Sequence, residues 1–157
     1  MPKIITLFII FILTTVVNAQ NTTENIAIKK TIETFFDGLH QGDSTLVSST
    51  LHSTIKIQTT FTDKEENKKL VTNSREKLLI GIANKKSEHT YLEKILSWQI
   101  HIDGNLASVW TPYEFYLNDK FSHCGANSFQ LFNDNGKWKI IYLVDMRRKT
   151  DCKSLKK

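Results

Sequence analysis

The sequence predicts an α+β fold in which three N-terminal helices pack on a strongly curved antiparallel β-sheet. Three observations carry this expectation. Apolar residues recur at helical spacing in 24–39, 44–51 and 75–84. From Tyr91 onward the period drops to two. The late apolar runs are separated by short clusters of turn-type residues. Helical and strand periods are distinguishable because one face of each element must be buried. Short consecutive connections make an antiparallel meander, and the early helices give it a layer to wrap against. The chain has 157 residues, 40% of them apolar, with six glycines and two prolines. That composition fits one globular domain and excludes collagen-like, rod-like and multi-pass membrane architectures.

The N-terminus opens as a secretory signal peptide, assigned to residues 1–19. Lys3 supplies the positive start, Ile4 to Val17 carry no charge, and Val17-Asn18-Ala19 offers a cleavage site before Gln20. A spanning helix needs about 20 apolar residues, more than this run contains. The expectation is therefore an exported protein, periplasmic or secreted, with no membrane anchor after cleavage and a single domain over 20–157.

Within that domain, Ile28, Ile32, Phe35, Phe36 and Leu39 fall on one stripe of a helix over 24–39. Gly42 can end it, and Asp43 can cap a short helix over Ser44–Leu51. Ile55, Ile57 and Thr59 alternate with Thr54, Lys56 and Gln58, a strand pattern over 53–61. Asp63 to Lys69 reads as a charged turn or loop. Asn73 and Glu76 have capping-box spacing before a third helix over 75–84. Four strand runs follow, at 91–102, 106–117, 122–132 and 137–147, divided by Asp103-Gly104-Asn105, Asn118-Asp119-Lys120 and Asn133-Asp134-Asn135-Gly136. In the last run, Trp138, Ile140, Tyr142, Val144 and Met146 alternate with Ile141 and Leu143, so both faces of its middle read as apolar. A homodimer packed sheet on sheet is the simplest cover for the second face.

Cys124 and Cys152 are the only cysteines. In an oxidising compartment they are expected to pair. The net charge of +5 is modest, and much of it sits in the C-terminal run from Arg147 to Lys157. Basic residues are not interleaved with aromatics, so no nucleic-acid partner is expected. His40, His89 and His101 show no ligand spacing, and no metal or other cofactor is implied. Glycine-rich phosphate loops, GxSxG elbows and HExxH helices are missing from the sequence.

Several segments together resemble the nuclear-transport-factor-2-like superfamily. They are Phe35-Phe36-Asp37-Gly38-Leu39-His40-Gln41-Gly42-Asp43, Leu51-His52-Ser53 and Gly136-Lys137-Trp138-Lys139-Ile140, in the element order above. The stretch Val109 to Tyr116, Ser122-His123-Cys124-Gly125, and Asp145-Met146-Arg147-Arg148 with Cys152 look like its secreted "putative lumazine-binding", polyketide-cyclase-like branch. The resemblance covers nearly all of 24–148. It implies a cystatin-like cone, a bent sheet closed by helices around an internal pocket. It does not imply one activity, because the fold carries ketosteroid isomerase, scytalone dehydratase, polyketide cyclases, epoxide hydrolases, transport factors and plain binding modules.

Enzymes of this superfamily set acid and base groups on strands facing the cone. Here the late strands offer Tyr113, Glu114, His123, Asn127, Asp145 and Arg147. Asp145 and Arg147 share a face, as do His123 and Asn127. Tyr113, His123 and Asp145 could polarise a carbonyl and move a proton, with His123 and Asp145 the catalytic candidates. Trp110, Tyr113, His123, Asn127, Asp145 and Arg147 are the candidate ligand-binding residues. Each also fits a plainer role: an Asp145–Arg147 ion pair, a turn hydrogen bond from His123, aromatic core at Trp110 and Tyr113. No superfamily enzyme's catalytic set maps onto the chain. The sequence thus favours a non-catalytic small-ligand-binding domain. The alternative is a cofactor-independent isomerase, lyase or hydrolase, favoured if His123 and Asp145 meet in an apolar cavity. An assembly module would need only the dimer face.

Overall fold

A computed structural model describes residues 23–152. The signal peptide therefore lies outside the described residues. The order is α1 (23–41), α2 (Ser44–Thr50), β1 (Leu51–Thr62), β2 (Lys68–Asn73), α3 (Arg75–Ala83), β3 (Tyr91–Ile95), β4 (Gln99–Asp103), β5 (Leu106–Leu117), β6 (Lys120–Asp134) and β7 (Lys137–Arg148). Among the described residues, no helix is long and apolar enough to cross a membrane.

The three helices form where expected. Gly42, at φ +77°, ends α1 in a conformation that a side chain would strain. Asp43 then caps α2, its carboxylate accepting from Leu46 N at 2.8 Å. The third cap is displaced by one residue. Ser74, not Asn73, accepts from Lys77 N at 3.1 Å, because Asn73 is still paired with Ile57 as the last residue of β2.

The sheet has seven strands in the order β2-β1-β7-β6-β5-β3, with β4 also on β5. It is mixed, which corrects the expectation of a wholly antiparallel sheet. The β5–β6–β7 meander is antiparallel, but β1 lies parallel to β7, pairing Ile57 with Leu143 and Thr59 with Asp145. No hairpin joins β1 to β7, so nothing local forces their directions to oppose.

Three further differences have local causes. The segment read as a loop turns at Asp63, which accepts from Glu65 N and Asn67 N at 3.0 and 2.8 Å, and leads into edge strand β2. That strand is exposed along nearly its whole length and so carries no apolar alternation. The run 91–102 divides into β3 and β4 opposite Pro112, which has no N–H to donate to a neighbour. Finally, Ile141 sits at a bulge, since Leu131 pairs with Ile140 while Gln130 pairs with Tyr142. One extra residue reverses the phase of everything after it. Trp138 and Ile140 are thereby buried on the same face as Leu143 and Asp145, while Tyr142, Val144 and Met146 turn to the other.

The core forms between α1 and the inner sheet face. Phe35 and Phe36 meet Phe129 edge-on at 6.2 and 6.1 Å, and Ile28, Ile32, Leu131 and Ile140 are fully buried. The outer face is held by polar pairs: Gln130 donates to Ser108, Tyr142 to Gln58, and Gln58 to Thr72. Cys124 and Cys152 form the expected disulfide, with Cα atoms 5.8 Å apart.

Gly125 leaves no room for a side chain between β6 and β7. A Cβ there would lie 1.7 Å from Met146 O and 3.0 Å from the Tyr113 hydroxyl. Gly125→Ala is expected to cost about 2 kcal/mol, as overpacking of a rigid contact does. Urea unfolding checks it, and an unchanged midpoint would refute the contact.

Candidate functional site

Inner-face positions of three strands converge below α1 and α3. Glu93 comes from β3, Asn127 from β6, and Asp145 and Arg147 from β7. Cross-strand register sets them side by side, with Asn127 opposite Asp145 and Gly125 opposite Arg147. They form the polar floor of a cavity of about 320 Å³. Phe35, Phe36 and Leu39 of α1, Leu78 and Ile82 of α3, and Leu143 of β7 supply apolar walls. A second chamber of about 330 Å³ shares Leu39, Tyr91, Glu93 and Arg147 with the first and is completed by Phe115, Leu117 and His123. Apolar walls over a few convergent polar groups are the usual make-up of a small-molecule site.

The floor is hydrogen-bonded. Asn127 Nδ2 donates to Glu93 Oε1 at 2.7 Å. Asp145 Oδ2 accepts from Arg147 Nε and from the buried Tyr113 hydroxyl at 3.5 Å. Glu93 is fixed from behind as well, its backbone N–H donating to His40 Nε2 at 2.8 Å. Accepting that bond leaves His40 neutral, with its proton on Nδ1. Burial pushes the His40 pKa down, against the nearby Asp37 charge.

Burial pushes the Glu93 carboxyl up to about 7, with the Asp145 charge adding to the rise, while the Asn127 hydrogen bond and Arg147 oppose it. Near neutral pH this carboxyl is therefore divided between its protonated and ionised forms, and when protonated it can donate a hydrogen bond as well as accept one. Burial, then the Glu93 and Asp145 charges, pushes the Tyr113 hydroxyl far up, so it stays a donor. Burial pushes His123 down to about 4, with Arg147 and Lys149 adding to the effect and Asp145 opposing it. These couplings have definite signs. Asp145→Asn is expected to lower the Glu93 pKa and Arg147→Gln to raise it. Side-chain carboxyl NMR titration reads both, and an opposite shift in either variant would contradict the arrangement.

Of the residues singled out by sequence, Asn127, Asp145 and Arg147 line the first chamber and His123 lines the second. Tyr113 lies behind the floor, fully buried, and braces Asp145. His123 stacks on Phe115 at 4.9 Å and bonds Ser122 Oγ at 3.1 Å. It makes no hydrogen bond to Asp145 among the described residues. Glu114 is buried and accepts from the Tyr116 hydroxyl at 3.0 Å. Trp110 does not join the group: it is 45% exposed, between buried Val109 and Thr111. Glu93 was missed. Its signal was a lone acid between Tyr91 and Ile95 at every second position, a charge on an otherwise inward-facing apolar row.

Fold and site together define a nuclear-transport-factor-2-like domain, an α+β layer with a polar-floored cavity under its first helix. The family model described as "Putative lumazine-binding" matches residues 23–144, and the chain belongs to that family. Among solved structures, it is similar to an NTF2-like protein of unknown function from Shewanella baltica. That match has 19% identity and a TM-score of 0.61, over 82% of this chain and 97% of the other. A cystatin-like-fold protein of unknown function from Nostoc punctiforme matches at 14% identity and TM-score 0.63, over 80% and 92%. A "putative ketosteroid isomerase" from Shewanella frigidimarina matches at 16% identity and TM-score 0.55, over 76% and 94%. At these identities the likeness is one of fold. No curated protein matches the chain.

Proposed function

We propose that the protein is an exported domain that binds a small, partly apolar ligand in the two joined chambers and releases it unchanged. The exported form is residues 20–157, folded as one domain with its sheet curled around α1. The observation that carries the reading is the Glu93–Asn127 pair at the bottom of an apolar-walled cavity. A neutral acid beside an amide supplies donors and acceptors along one edge without a net charge. Such an edge suits a planar heterocycle bearing adjacent carbonyl and N–H groups, a class to which the family description's lumazine belongs. His123, Asn127, Asp145 and Arg147 are the polar contacts in this reading, with Tyr113 bracing Asp145. The disulfide and the leader-like N-terminus support export.

Native mass spectrometry of the mature protein from its own host tests binding. The wild type is expected to carry a small-molecule adduct that Leu39→Trp, which fills the wall common to both chambers, loses. Identical bare masses for both proteins would overturn the reading.

One observation favours a catalytic alternative. Glu93 and Asp145 share a floor, and a carboxyl held near neutrality is suited to general acid–base work. An isomerase, lyase or hydrolase of this kind would need no cofactor. Turnover by purified protein that Glu93→Gln abolishes would establish it. The outer face, which carries exposed Trp110 on β5 and half-buried Val144 and Met146 on β7, supports a homodimer. Light scattering at micromolar concentration should then give twice the chain mass, and a monomer would refute it.

A further inference from the structure

The two chambers open toward a larger basin of about 820 Å³ that the ligand reading above does not use. Its walls come from the β1–β2 turn and the end of β7, and they include Lys64, Arg147, Arg148 and Lys149 against one carboxylate, Asp63. Asp63 is already engaged, by Lys69 at 3.2 Å and by the Glu65 and Asn67 backbone N–H groups. Arg147 is likewise paired with Asp145, so the positive excess of the basin rests on Lys64 and Lys149. Arg147 lines the basin and both inner chambers, and His123 lines the basin and the second chamber, so the three spaces meet at these residues. The imidazole registers the field, because Arg147 and Lys149 add to burial in keeping it uncharged. The wall is also fastened. Lys149 and Thr150 lie between β7 and Cys152, which is tied to Cys124 beside His123.

We infer that the ligand is an anion whose uncharged, planar body enters the inner chambers while a carboxylate, sulfonate or phosphate group remains in the Lys64–Arg147–Lys149 basin. This rests on the binding reading and adds the charge and orientation of the ligand to it. Clustered cations beside an apolar chamber hold such a group by charge–charge attraction, which salt screens. The Cys124–Cys152 bridge, by fixing the Lys149 wall, contributes to that attraction.

Two fluorescent probes of matched shape test it: neutral N-phenyl-1-naphthylamine and anionic 1-anilinonaphthalene-8-sulfonate. The anionic probe is expected to bind about tenfold tighter at low salt, an advantage that fades toward 1 M salt as charges are screened. Lys64→Gln with Lys149→Gln should abolish the preference. Lys137→Gln, at the opposite end of β7, should retain it. If the neutral probe binds and the anionic probe gains nothing, or gains equally in the double variant, the inference fails and the chamber reading stands. If the anionic probe alone binds, in a Lys64- and Lys149-dependent way, the basin holds anions without the chambers, and the chamber reading falls and takes the inference with it. Binding of neither probe would overturn both.

Discussion

At pH 8 the Glu93→Gln variant is expected to resist urea better than the wild type, whereas at pH 4 the two should nearly coincide. Glu93 titrates near 7 in the folded protein, against an ordinary value of 4.5. Below pH 4.5 both states hold the proton. Between 4.5 and 7 the folded state keeps a proton that the unfolded state has released, so stability falls as pH rises through this window. Above 7 the carboxyl is ionised in both states and the whole contribution has been lost. A displacement of this size corresponds to a loss of about 3 kcal/mol. Gln retains the oxygen that accepts from Asn127 and cannot ionise. The difference between wild type and variant therefore reports this group together with its coupling to Asp145 and Arg147. A difference that stays constant from pH 4 to pH 8 would mean that Glu93 is an ordinary exposed acid.

The second large effect belongs to the disulfide. Replacing Cys124 and Cys152 together with Ala is expected to lower stability by about 3 to 4 kcal/mol. The bridge spans 28 residues. Closing such a loop removes unfolded-chain entropy of that order. Cys124 is fully buried, so its truncation adds a small packing loss. Urea unfolding of the double variant checks the figure, and a cost below about 1 kcal/mol would show the linkage to be idle. Reduction of the wild type should reproduce most of the loss, which makes the stability of this domain dependent on an oxidising surrounding.

The sequence discloses those parts of the fold that bury one face at regular spacing. The stripe of Ile28, Ile32, Phe35 and Phe36 marks α1, Asp43 marks the start of α2, and the turn clusters around Gly104, Asn118 and Gly136 bound β5, β6 and β7. Strand β2 escapes because an exposed edge has no inward face to write into its pattern. The break between β3 and β4 depends on Pro112 of another strand, and the parallel β1–β7 pairing on a contact with no local connection. Ile141 misleads most. Its bulge leaves no mark on the alternation, yet it carries Asp145 and Arg147 to the same inner face as Trp138. The site suffers from the same blindness. Asn127, Asp145 and Arg147 could be named as neighbours on late strands, but Glu93 joins them only because β3 folds back on β5. Its raised pKa comes from burial and from Asp145, which is distant in sequence, against the opposing Asn127 and Arg147.

The central claim is that the cavity over Glu93 and Asn127 admits a small apolar guest. Amide and methyl NMR of isotope-labelled protein titrated with N-phenyl-1-naphthylamine tests it most directly. Saturable shifts gathered at Leu39, Leu78, Tyr91, Glu93 and Leu143 are the predicted result. Shifts confined to the surface around Trp110, with those five residues unmoved at saturation, would contradict it.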